Sequence, residues 1–195
     1  MTTPSLPAQE HDAFVLLDDA SQGGAGHALL FRDPVEIIRA DHMADVMTAL
    51  EQVRVATSQG LHAAGYLSYA AGHAFEPRLA DYGPRAGDEG PLLWFGLFDA
   101  PTKLPSSAVP GLLPAPNDEG FRGFDPMISR ADYDRAIGQV LDYITAGDIY
   151  QANLTFPAAV SLAGDLLALY AAIRPRAAAG HGALIRHDGR HILSF

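Results

Sequence analysis

Apolar residues recur along this chain in two rhythms. FVLLDD (14–19) and HALLFRD (27–33) are short apolar runs separated by SQGGAG, the form of two strands joined through a glycine turn. VEIIRA (35–40) predicts a third strand. From Met43 the spacing changes: Met43, Val46, Met47, Leu50 and Val53 share one face of a helix, with Asp41 as its N-cap and Gly60 as its stop. AAGYLSYAAGHAF (63–75) opens as a strand and then loses its period, whereas LLWFGLF (92–98) is apolar throughout and predicts a strand covered on both faces. PTKLPSSAVPGLLPAPNDEG (101–120) holds five of the fourteen prolines. Proline lacks the N–H that a helix interior or a central strand requires, so the segment reads as a connector.

Beyond it the helical rhythm returns. Ser129 and Asp132 have capping spacing, Tyr133, Ile137, Val140 and Ile144 form a stripe, and Gly147 is suited to a left-handed stop, so a helix is predicted over 130–146. Leu166, Leu169, Tyr170 and Ile173 predict another over 165–174, ended by Pro175. In ALIRHDGRHILSF the Asp188-Gly189 pair between apolar runs predicts a tight hairpin, with His187 opposite Arg190 and Arg186 opposite His191. Strands and helices alternate without a regular βαβ period, so the expected class is α+β, with antiparallel β-sheets and outer helices. The segments expected are a flexible tail (1–12), an N-terminal α+β layer (13–100), the proline-rich connector (101–120) and a last portion, 121–195.

Composition narrows the field of partners. With 195 residues, 48% of them hydrophobic, the chain has enough apolar mass for a core. A formal charge of −10 works against steering toward nucleic acid or anionic membrane, and neither is expected as a partner. Cysteine is absent, which excludes disulfides, thiolate metal sites and a cysteine nucleophile, and fits a cytoplasmic location. The start, MTTPSLPAQEHD, lacks the basic cluster and apolar run of a secretory signal.

The stretch TAGDIYQANLTF (145–156) carries the candidate chemistry. As a strand it would place Tyr150, Ala152, Leu154 and Phe156 on one face and Ile149, Gln151, Asn153 and Thr155 on the other. The second face meets either solvent or a polar pocket, where uncharged amides donate and accept without the cost of a buried charge.

AGDIYQANLTF resembles the GDIYQ-x-NL-[ST] signature of the chorismate-utilising enzymes, most closely their aminodeoxychorismate synthase component I members. FVLLDDA and GYLSYAAGHAFEP resemble further segments of that family, as does the closing HILSF, in the same order, over residues 13–195. The resemblance implies amination of chorismate at C4 with ammonia, with Mg²⁺ required and the ammonia delivered by a glutamine amidotransferase subunit. The product would be 4-amino-4-deoxychorismate, on the way to 4-aminobenzoate and folate. It makes Asp19, Tyr150, Gln151 and Asn153 candidates for a substrate or effector pocket, Asp19 standing where relatives carry the serine of a tryptophan pocket. The family's Ser-Pro-Glu and Pro-Ile-Lys-Gly-Thr motifs do not occur, and Lys103 is the single lysine. The expectation is therefore that residues 121–195 begin a chorismate-binding domain that is truncated, that Mg²⁺ is held by the missing half, and that this portion is inactive alone. The alternatives are anthranilate synthase component I, against which Asn153 weighs, and a non-catalytic interaction module.

Other chemistry has blander explanations. His187 and His191 are four apart, but an Asp-Gly turn and facing arginines make a polar hairpin edge a better reading than a zinc site. GGAG (23–26) reads as a hairpin turn, not a phosphate loop. Tyr66, Tyr69 and Phe75 read as core aromatics, and the Asp18–Asp19 pair as turn chemistry.

Overall fold

The computed structural model describes residues 5–7, 12–21, 26–76, 78–79, 90–117 and 121–195. Its described elements are β1 (Phe14–Asp18), β2 (His27–Arg32), β3 (Glu36–Ala40), α1 (Met43–Ser58), β4 (His62–Leu67), β5 (Leu93–Phe98), β6 (Thr102–Pro105), β7 (Phe121–Pro126), α2 (Arg130–Ala146), β8 (Ala158–Leu162), α3 (Leu166–Ala177), β9 (Gly182–His187) and β10 (Arg190–Ser194). Every strand pairing is antiparallel, and the class is α+β.

The chain forms two compact units, Met1–Pro116 with Leu166–Phe195, and Asn117–Asp165. In the first, a five-stranded sheet in the order β10-β9-β1-β2-β6 and a three-stranded sheet in the order β3-β5-β4 face each other. The two-residue side-chain period of a strand sorts the residues into layers. Phe14, Leu16, Ala28, Leu30 and Leu184 point one way, onto Tyr170 of α3. Val15, Phe31 and Ile185 point the other way, onto Ala64, Trp94 and Phe98 of the smaller sheet. The outer side of that smaller sheet, with Ile38, Ala40, Leu93 and Leu97, packs on Val46, Ala49 and Ala56 of α1. β5 is thus covered on both faces, as its unbroken apolar run predicts.

Several details differ from the expected ones. α1 is capped at His42 without a side-chain bond, because Asp41 is taken by Arg39, which donates to it from Nε at 2.9 Å. On α1 the buried stripe runs through Ala49 and Ala56, and Met47 is exposed, since small residues let the helix lie close to the sheet. The proline-rich segment contributes β6, at the sheet edge where Pro105 can sit without depriving a second neighbour, and a 3-10 helix over Ser106–Leu112. α3 runs past Pro175 to Ala177. The proline falls in its last turn, and left-handed Ala178 closes it by donating its N–H to the Arg174 carbonyl. The final hairpin has the expected register, with Asp188 and Gly189 both at positive φ. The glycine turn at 23–26 lies mostly outside the described residues. Ser5–Pro7 contacts the body: Leu6 packs on the α3 side of the large sheet, and Arg186 donates to the Pro7 carbonyl at 2.7 Å.

The second unit holds β7 and β8, paired with a bulge between Arg122 and Phe124, and α2. α2 has the expected bounds, with Ser129 accepting from the Asp132 N–H and Gly147 left-handed at φ 82°. No described residue of this unit is buried. Phe124, Met127, Leu141, Tyr143, Phe156, Val160 and Leu162 are exposed.

Candidate functional site

The strand expected over 149–156 does not form. Residues 151–157 are irregular, and β8 begins only at Ala158. After the left-handed Gly147 the chain leaves the helix with the Asp148 N–H bonded to the Tyr143 carbonyl. Among the described residues it has no strand partner until Met127 donates to the Pro157 carbonyl. Alternation in sequence specifies a strand only when a neighbour takes up its N–H and C=O groups. Tyr150, expected on a packed face, is 92% exposed, and Gln151 and Asn153 are exposed as well. These three share one open segment of the second unit, with the amide side chains free to meet water or a ligand.

Asp19 belongs to the first unit, just past β1. Its Oδ1 accepts from the Ser21 N–H at 3.0 Å and the Ser21 hydroxyl at 2.5 Å, and these bonds hold its carboxyl below the usual carboxylate range. Gly26 lies against it so closely that a Cβ there would meet Oδ2. The Ala20 N–H reaches the Ala179 carbonyl at 2.7 Å, bringing the β1 exit to the segment before β9. An ionised carboxylate fixed in this way can accept from an ammonium or amide group.

Asp18 is not turn chemistry. Its side chain is fully buried and accepts from Tyr170 Oη at 2.9 Å, Arg174 Nε at 2.6 Å and Arg174 Nη2 at 2.9 Å. Arg174 Nη2 also reaches the Ser106 carbonyl at 3.1 Å. Burial, then the Asp18 charge, pushes the Tyr170 hydroxyl pKa well up. Two ionised groups with every strong partner in place bind α3 to β1. The sequence signal was the Arg174 and Tyr170 pair four apart on one helix face, facing an acid at a strand end.

His187 is the second residue that sequence reasoning misplaced. It is 1% exposed, not on a polar edge. Its ring stacks on Trp94, centroids 4.5 Å apart, with Tyr66 Oη 3.1 Å from Nε2 and Asp188 Oδ2 3.3 Å from Nδ1. Tyr66 is half-buried, whereas Tyr69 and Phe75 are exposed rather than core.

Among the described residues no three His, Asp or Glu side chains converge as metal ligands. They do not fit the Mg²⁺ that the resemblance implies, and no step through that ion follows from them. Among the described residues no helix is long and apolar enough to cross a membrane.

The family model described as chorismate binding enzyme matches residues 12–195, and the chain belongs to that family. No curated protein matches it.

Proposed function

We propose that these residues are the front portion of an aminodeoxychorismate synthase component I, which aminates chorismate with ammonia to 4-amino-4-deoxychorismate. The observation that carries the reading is the wording Tyr150-Gln151-Ala152-Asn153-Leu154-Thr155 within the family match. Asn153, in particular, stands where anthranilate-forming relatives more often carry an apolar residue. The open segment around Gln151 and Asn153 is then part of a substrate or effector pocket that further polypeptide of the same enzyme completes. That polypeptide brings the Mg²⁺ ligands and the reactive lysine, and it covers exposed apolar residues of the second unit. Ammonia comes from a glutamine amidotransferase subunit. Asp19 is the proposed contact for an effector's ammonium group.

Support for a division of labour comes from the side chains themselves. Lys103, the single lysine, stands on edge strand β6. A non-catalytic reading, in which the chain serves as an interaction module, draws on the exposed apolar residues of the second unit.

The test is chorismate, Mg²⁺ and ammonium with this polypeptide, coupled to purified aminodeoxychorismate lyase. No 4-aminobenzoate should form with these 195 residues alone, and it should form when the enzyme's remaining polypeptide is supplied. Anthranilate fluorescence in the complemented reaction would assign the other product. Turnover by the polypeptide alone would overturn the division of labour.

A further inference from the structure

The three strands of the smaller sheet carry a row of polar side chains in register: Arg39 on β3 opposite Trp94 on β5, and Trp94 opposite Tyr66 on β4. His187, at the end of β9 in the larger sheet, lies across this row. The two sheets also meet through the apolar contacts of Val15, Phe31 and Ile185 with Ala64, Trp94 and Phe98, and through the Arg39–Asp188 ion pair. The His187 imidazole is the one histidine ring stacked into that seam among the described residues.

Its proton positions follow from its partners. A carboxylate only accepts, so Nδ1 carries the hydrogen and donates to Asp188. Nε2 is then a lone pair, and Tyr66 donates its hydroxyl hydrogen to it. Asp188 is also held by Arg39 Nη1 at 3.1 Å, and Arg39 grips Asp41 through Nε and Nη2. Every element packed on the ring contributes a known group. β3 and its end bring Arg39 and Asp41, β4 brings Tyr66, β5 brings only the neutral Trp94, the turn brings Asp188, and β10 brings Arg190.

We propose that His187 is a proton-operated latch between the two sheets: uncharged, it ties the β9–β10 turn to β4 through Tyr66, and protonation loosens that seam. A second proton lands on Nε2, so Tyr66 must rotate from donor to acceptor. The new cation is enclosed, with Arg39 and Arg190 nearby. The carboxylate in contact with it among the described residues, Asp188, is already paired with Arg39. Burial accordingly pushes the imidazole pKa down from its ordinary value. A locally opened hairpin frees the ring to water, where it takes the proton more readily. Acid therefore favours the open form.

The experiment is a histidine titration by NMR on the full chain between pH 7.5 and 5, with His187 assigned through contacts to Trp94, together with amide exchange of residues 65–67 and 186–191. The expected result is an Nδ1–H tautomer at neutral pH and a midpoint below the free-imidazole value of about 6.5. The opening constant of the hairpin should rise about tenfold per pH unit between that value and the folded midpoint. Asp188→Asn should move the midpoint down and Arg39→Gln should move it up, opposite signs that a purely steric role does not produce. His187→Phe should abolish the pH dependence of opening. A midpoint at or above the free value, or the same pH dependence in His187→Phe, would overturn the latch; so would an Nε2–H tautomer.

Discussion

Asp18 is a carboxylate wholly removed from water, and three donors from one helix face make that tolerable. Removing one partner leaves a buried charge uncompensated, which typically costs about 3 to 5 kcal/mol. Arg174→Met should therefore lower the unfolding free energy of the first unit by about that amount, read as a lower urea midpoint. Tyr170→Phe, which removes a single donor to the same oxygen, should cost about 1 to 3 kcal/mol. Equal losses in the two variants would mean that Arg174 contributes mainly packing. His187 acts in the pH domain instead. Its folded-state pKa is lowered, so the unfolded chain binds the proton first as pH falls. Stability is then full above the ordinary imidazole value of about 6.5 and declines below it until the folded value is reached. Thermal melts at pH 7.5 and 5 on the wild type and His187→Phe check the sign, since only the wild type should lose stability through the imidazole.

At the scale of elements, two sites separate tight from loose construction. Gly65 on β4 has no room for a side chain: an added Cβ would stand 2.0 Å from the Trp94 carbonyl oxygen, a main-chain atom of the central strand β5. Gly65→Ala must spread two paired strands, and overpacking of this kind costs about 1 to 3 kcal/mol. Calorimetry should register it as a loss of the whole first unit's transition, and a change under about 0.5 kcal/mol, the ordinary surface scale, would refute the close approach. α2 is held differently. Its ends are well made, by Ser129 and by left-handed Gly147, yet no residue along it is buried. Ser129→Ala should cost about 1 kcal/mol, visible as faster amide exchange in the first turn of α2 and not as a shift in the unfolding of β1 or β5.

For the whole molecule the contrast between the two units is the dominant fact. The first has three apolar clusters in layers, and the second has a capped helix and a strand pair with apolar side chains facing outward. Burial of apolar area is the main source of stability, so a unit with no buried residue among those described opens easily. Amides of α2 should exchange well before those of β1 and β5. A hydrophobic dye should bind the chain, and Leu141→Lys with Val160→Lys should reduce that binding while leaving the first unit's melting unchanged. Dye binding unaffected by this pair would place the accessible apolar surface elsewhere.

Much of the architecture was legible in residue order alone. The apolar run at 92–98, the stripe from Met43, the cap at Ser129, the stop at Gly147 and the Asp188-Gly189 turn each act through neighbours in the chain, so local chemistry was enough. Family membership was legible for the same reason, since GDIYQANLT is one continuous stretch. The candidate site was less so. The alternation at 149–156 promised a strand, but pairing is a property of two segments, and none of the described strands pairs with it. Asp18, His187 and Pro105 owe their roles to groups more than sixty residues away, or to a place at a sheet edge. Those arrangements exist only once β1 meets α3, the two sheets close on each other, and β6 takes the outer position, because burial and long-range hydrogen bonding are fixed by the folded chain.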